Sequence, residues 1–150
     1  MHQTPRAVID TNAILDWLVF RDPMAASFGS AIADGRLEWW AAPAMRCEFD
    51  DVLARPALAA RVADHRSCAA AWSIRARMVT ADPMPGPLRC RDPDDQVFID
   101  LALALRCHWL LTRDRALLAL ALPARAWGLT ILTPAAWLRS SLPPFAPPAG

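Results

Sequence analysis

Apolar and polar positions alternate along this chain in two distinct rhythms. Short apolar runs of strand length recur, and between them lie longer stretches with helical spacing. Arg6 to Asp10 reads as a first strand, with Ala7, Val8 and Ile9 as buried-type residues and Asp10 at its end. A helix from about Asn12 to Phe20 follows. Asp22-Pro23 opens another, with Asp22 as N-cap and Pro23 in the first turn, and Gly35 is a stop. Leu37 to Ala42 reads as a second strand. Pro43 starts a helix that Pro56 breaks, and Ala57 to Thr80 reads as one long Ala-rich helical stretch with Leu58, Val62, Trp72 and Met78 as candidate buried residues.

Pro83, Pro85, Gly86 and Pro87 then make a stiff, extended connection. Asp92-Pro93 repeats the cap-plus-proline start, and Phe98, Leu101, Ala102 and Leu105 mark one buried helix face. Trp109 to Thr112 is a third strand, Arg115 to Leu122 a helix, and Leu129 to Leu132 a fourth strand. Thr133-Pro134 caps a final short helix. Strands that alternate with helices, and that are apolar throughout, predict a parallel sheet covered on both faces. The expected organisation is a single domain over residues 1–142, followed by a flexible Pro/Ala-rich tail from 143 to 150.

Composition narrows the chemistry. The 150 residues are 55% apolar, too many for a disordered chain. All 16 basic residues are arginine. The absence of lysine excludes a Walker-type phosphate loop, Schiff-base chemistry and a lysine base. The longest uncharged run, Ala126 to Leu138, is far shorter than the ~20 residues of a membrane span. The N-terminus shows no secretory pattern. Cys47, Cys68, Cys90 and Cys107 form no C-x-x-C pair, so a soluble cytoplasmic protein with reduced thiols is expected.

In a parallel sheet, ligands bind beyond the carboxyl ends of the strands. Acids fall there after strands one, two and three: Asp10, then Glu48 on the following helix, then Asp114. Asp94 and Asp95 stand at the start of the helix that precedes the third strand. Capping explains Asp92, and taken singly it also accounts for Asp94, Asp95 or Asp114. It does not explain the joint pattern. Converging carboxylates either hold protons or are neutralised by a cation. An oxygen-only donor set favours a hard ion such as Mg²⁺ or Mn²⁺, which suits metal-assisted hydrolysis of a phosphodiester. Asn12 and Thr112 are placed to fix Asp10, Asp114 or a water.

The V-I-D-T-N of Val8 to Asn12, the helix acid Glu48, the stretch R-D-P-D-D-Q-V-F-I-D-L-A-L-A and the L-L-T-R-D-R-A-L-L together resemble a PIN domain, the fold of VapC-type toxin ribonucleases. The resemblance runs from about Arg6 to Pro134. It implies a three-layer α/β/α sandwich with a central parallel sheet of four to five strands. It also implies Mg²⁺- or Mn²⁺-dependent cleavage of single-stranded RNA as the toxin of a toxin–antitoxin pair, an antitoxin partner and a homodimer. Carried across residue by residue, it implies Asp10, Glu48, Asp95 and Asp114 as the metal-binding quartet, with Asn12 and Thr112 as supporting polar positions. Asp95 is preferred to Asp94 because it stands four residues before Ile99 and seven before Ala102. Arg113 departs from the Gly that relatives commonly carry there.

Other features carry less. Arg46, Arg113 and Arg115 lie near the expected crevice and are candidate phosphate ligands, each with solvated surface arginine as the plain alternative. Adjacent Cys107 and His108 lack metal-ligand spacing. Seven scattered tryptophans read as core, with Trp17 and Phe20 as interface candidates. A net charge of +1 is compatible with two opposed patches, a cluster of acids and an arginine rim. The competing functional expectations are a PIN-like binding module without catalysis and a small-substrate phosphohydrolase. Asp10-Thr11-Asn12, lacking a second Asp, argues against the aspartyl-phosphate form of the latter.

Overall fold

The computed structural model describes residues 3–61 and 65–145, with side chains as far as Ser140. The first half of the chain supplies β1 (Arg6–Ile9), α1 (Thr11–Leu18), α2 (Pro23–Ala33), β2 (Glu38–Ala41), α3 (Pro43–Leu53), α4 (Pro56–Ala59), α5 (His65–Arg75) and β3 (Ala76–Met78). The second half supplies α6 (Gln96–Ala104), β4 (Trp109–Leu111), α7 (Arg115–Leu118), α8 (Ala121–Ala124), β5 (Thr130–Leu132) and α9 (Pro134–Phe145). The strands form one all-parallel sheet in the order β3-β2-β1-β4-β5, flanked by helices as an α/β/α sandwich.

That order reverses direction at β1. The chain builds outward through β2 and β3, then returns to place β4 on the other side of β1. The carboxyl ends of β1 and β4 therefore border a topological switch point, where parallel sheets form crevices. Ile9 is in register with Leu111, and the Asp10 N–H donates to Leu111 O at 2.9 Å. The last strand residues thus deliver Asp10 and Thr112 side by side.

Local chemistry explains most element ends. The Asp22 carboxylate accepts from Met24 N–H, and Pro23 occupies the first turn of α2. Gly35, at φ +77°, makes the turn beyond α2. Gly29 has a different role: a Cβ there would overlap the Trp17 indole, so the small residue lets α2 close onto α1. Thr133 accepts from Ala136 N–H at the start of α9.

The core runs along β2 as an aromatic chain. Trp39 is edge-on to Trp17 at 5.5 Å and packs against Trp72 at 4.5 Å, and Trp72 meets Phe49 at 5.4 Å. Burying Trp39 and Trp72 completely outweighs leaving their indole N–H groups without a partner.

Three expectations need correction. Ala57 to Thr80 is not one helix. It divides into α4, α5 and a strand, and β3 pairs Ala76, Arg77 and Met78 with Trp39, Trp40 and Ala41. The open edge of β2 offers ladder hydrogen bonds that outweigh a modest local helix preference. Met78, expected in the core, is 42% exposed because β3 is an edge strand. Val62 lies outside the described residues. The expected Arg115–Leu122 helix breaks into α7 and α8, with a turn at residues 119–120. The last helix is not short: it reaches Phe145, and residues 146–150 of the expected tail lie outside the described residues.

Candidate active site

Asp10 follows β1 and precedes the first turn of α1. It is 3% exposed and makes no capping hydrogen bond, so its carboxyl is not consumed by the helix. The wholly buried Thr112 hydroxyl, just past β4, donates to Asp10 Oδ2 at 2.7 Å and accepts from the Asp114 N–H at 2.9 Å. One side chain therefore ties the first acid to the backbone of the last. Asp114 in turn caps α7, its Oδ2 accepting from Leu117 N–H at 3.0 Å.

Glu48 approaches from α3, where it is half-buried. The Thr11 hydroxyl donates to its Oε1. Asp10, Glu48 and Asp114 are thus each held by a neighbouring donor, which fixes the carboxyl. Asp95 closes the group from the single 3₁₀ turn, Pro93–Asp95, that leads into α6.

The electrostatics record the convergence. Burial pushes the Asp10 carboxyl up to about 6; the Thr112 hydroxyl opposes this, and the Asp114 and Glu48 carboxylates add to it. Asp95 is raised to about 7, first by burial and then by the charges of Asp114, Asp10 and Asp92. Among the described residues no ion pair reaches any of the four acids.

The donor set is carboxylate oxygen with no imidazole. His65 is exposed on α5, and His108 stands before β4 at the opposite edge of the sheet, where its Nδ1 accepts from Arg6 N–H. Oxygen donors with an excess of negative charge fit a hard divalent cation. The acids are near enough to perturb one another, yet among the described residues no three stand as a ready-made metal cage.

The expected residues map as follows. Asp10, Glu48, Asp95 and Asp114 are brought together. Asp94 is exposed, its N–H accepted by the Asp92 carboxylate, so Asp95 is the acid that faces the group. Thr112 bridges Asp10 and Asp114. Asn12 is exposed on the first turn of α1.

Two of the arginines expected at the crevice are engaged elsewhere. Arg113 forms a two-point pair with buried Asp16 of α1, at 2.7 and 3.1 Å, and Arg46 pairs with Asp50 at 3.0 Å while lying over Trp72. Arg113 thus neither crowds the acids nor faces them. It anchors the β4–α7 loop to α1.

Sequence reasoning missed Thr11 as the donor that orients Glu48, although it is the one hydroxyl next to Asp10. It also missed Asp16, an acid on the inner face of α1 whose only local sign was its place among Ala13, Ile14, Leu15 and Trp17. Neither partner is inferable from spacing, since 37 and 97 residues separate the pairs.

Comparison with known proteins agrees with this geometry. No curated protein matches the chain. A family model described as PIN domain matches residues 6–116, which include β1 to β4 and all four acids. PIN domains are generally nucleases that act on RNA or other nucleic acid and typically use divalent metals. With well over half of its length matched by that model, this chain belongs to the PIN domain family.

Proposed function

We propose that the chain is a Mg²⁺- or Mn²⁺-dependent endoribonuclease that hydrolyses single-stranded RNA, and that it is the toxin of a toxin–antitoxin pair. The observation that carries the reading is the convergence of Asp10, Glu48, Asp95 and Asp114 without a neutralising arginine, with three of them each pinned through one oxygen. In this reading the four acids hold the cation. Held by these acids, a divalent ion would supply the charge that activates water and stabilises a developing phosphoryl charge.

The chain's own residues do the positioning. Thr112 holds Asp10 through Oδ2. Thr11 does the same for Glu48, and the start of α7 does it for Asp114. Asn12, exposed beside Asp10, is assigned to the attacking water or the scissile phosphate. Water adds to phosphorus, the bond to O3′ breaks, and the products carry a 5′-phosphate and a 3′-hydroxyl.

The toxin assignment, with an antitoxin partner, a homodimer and a cytoplasmic setting, rests on the resemblance of the Asp-Pro-Asp-Asp helix start and the Leu-Leu-Thr-x-Asp segment. The decisive assay is cleavage of a mixed single-stranded RNA with Mn²⁺ and with chelator. Cleavage that needs the metal and is abolished in Asp10→Asn is expected. Metal-dependent cleavage that survives in Asp10→Asn overturns the site assignment. Failure to bind Mn²⁺ at millimolar concentration favours a non-catalytic binding module.

A further inference from the structure

The connection between β3 and α6 is not a loose strap. The Gly86 N–H donates to buried Asp100 Oδ1 at 2.9 Å, close enough that a Cβ on Gly86 would stand 3.2 Å from that oxygen. Gln96, in the first turn of α6, clamps the next residues from both sides. Its Oε1 accepts from Cys90 N–H at 2.7 Å, and its Nε2 donates to Leu88 O at 2.8 Å and to Asp100 Oδ1 at 2.9 Å. Cys90 is 4% exposed. Gln96 directly follows Asp95, so the clamp lies beside the acid cluster, and burial first, then the Asp95, Asp114 and Asp92 carboxylates, raise the Cys90 thiol.

Arg89 and Arg91 flank this buried residue, and both are exposed. Arg115 is exposed next to Asp114, another acid of the cluster, at the start of α7. Among the described residues none of these three guanidinium groups has an ion pair or hydrogen bond, whereas Arg46 and Arg113 are occupied by Asp50 and Asp16. Arg75, Arg106 and Arg125 precede β3, β4 and β5 and so lie toward the opposite edge of the sheet.

We infer that Arg89 and Arg91, held by the Gln96 clamp, form with Arg115 the surface that grips the phosphates of a single-stranded RNA beside the acid cluster. The inference deepens the ribonuclease reading and rests on it. A short strip of arginines suits a flexible single strand, whose backbone can bend to follow it. Guanidinium groups suit phosphate because they bind it through two N–H donors at once. The clamp orders the backbone before RNA arrives, which reduces the entropy lost on binding.

The test uses the full chain carrying Asp10→Asn, so that RNA survives the measurement. Its affinity for a fluorescein-labelled, mixed-sequence single-stranded RNA is measured by anisotropy in Mg²⁺ over a series of NaCl concentrations. Removing two phosphate contacts in Arg89→Ala/Arg91→Ala is expected to weaken binding and to flatten the plot of log K against log salt by about 1.4, or roughly 0.7 per contact. Arg115→Ala is expected to flatten it by about 0.7. Arg125→Ala is the remote control and is expected to leave the slope unchanged. An unchanged slope in the double variant, or an equal effect from Arg125→Ala, overturns the assignment. Cleavage of the same RNA by the unsubstituted chain with Mn²⁺ is scored separately. Cleavage with an unchanged slope removes the arginine surface alone, and absence of both cleavage and binding removes the ribonuclease reading with it.

Discussion

Crowded carboxylates make the metal-free protein pay for its site in stability, and the cost depends on pH. Asp10 ionises at 3.8 in the unfolded chain and at about 6 in the folded one. The folded state therefore holds an extra proton across that interval. Stability is full below the unfolded value and is lost as pH rises through the folded value. The displacement is about two units, and at 1.36 kcal/mol per unit it amounts to roughly 3 kcal/mol for this buried group. Asp95, raised to about 7, extends the window upward, with a smaller contribution because it is half-exposed and screened by water. The window thus runs from about 4 to about 7.

The perturbation is Asp10→Asn. An amide cannot ionise, and its oxygen still accepts from Thr112. In chelator at pH 8 the variant is expected to be more stable than the parent by roughly 1–3 kcal/mol. For a chain of this size each kcal/mol corresponds to about 2–4 °C in melting temperature. At pH 4 the two should melt together. Adding Mn²⁺ should raise the melting temperature of the parent more at pH 8 than at pH 5, since the cation binds ionised acids and binding to the folded state adds stability. Melting curves at half-unit pH steps, with chelator and with Mn²⁺, measure all of this. A parent whose metal-free stability is flat or rises between pH 5 and 7.5 would refute the reasoning. So would a variant less stable than the parent at pH 8 in chelator.

Two further substitutions probe how the acids are held. Thr112→Val removes the donor to Asp10 Oδ2 and the acceptor for the Asp114 N–H, at a cost of about 1–3 kcal/mol. Losing the donor also raises Asp10 further, so the acid limb of the pH–rate profile should move to higher pH; an unmoved limb contradicts the bridge. Arg113→Ala leaves the Asp16 carboxylate buried without its partner. Because the guanidinium is half-exposed, about 1–3 kcal/mol is expected by urea denaturation, below the ~3–5 of a fully buried pair, and Asp16→Asn in the same chain should recover part of it.

The parts of the fold that were legible in sequence were those where local chemistry and tertiary context agree. Asp22-Pro23, Asp92-Pro93 and Thr133-Pro134 each open a helix, because a side-chain acceptor followed by a proline suits a helix start in any surroundings. β1, β2, β4 and β5 were visible as apolar runs because a strand covered on both faces has no polar face to show. β3 was hidden for the opposite reason. Its Ala-Arg-Met has no strand signature, and it is a strand only because β2 has an unpaired edge beside it. At the site, the acids were legible because each follows, or leads toward, a recognisable strand. Their supports were not: Thr11 finds Glu48 and Arg113 finds Asp16 through contacts between elements far apart in the chain.

The absence of lysine, the order of short apolar strands and the positions of Asp10, Glu48, Asp95 and Asp114 are properties of the sequence itself. They determined a parallel α/β chain with acids at one edge of its sheet, because strand polarity alone sets which residues emerge there. Only the tertiary structure decided that β4 lies against β1, so that Asp114, more than 100 residues away, becomes a neighbour whose charge raises Asp10. Only the tertiary structure likewise decided which arginines are occupied and which are free among the described residues. An ion pair such as Arg113–Asp16 depends on where two backbones come to rest, and no local pattern encodes that distance.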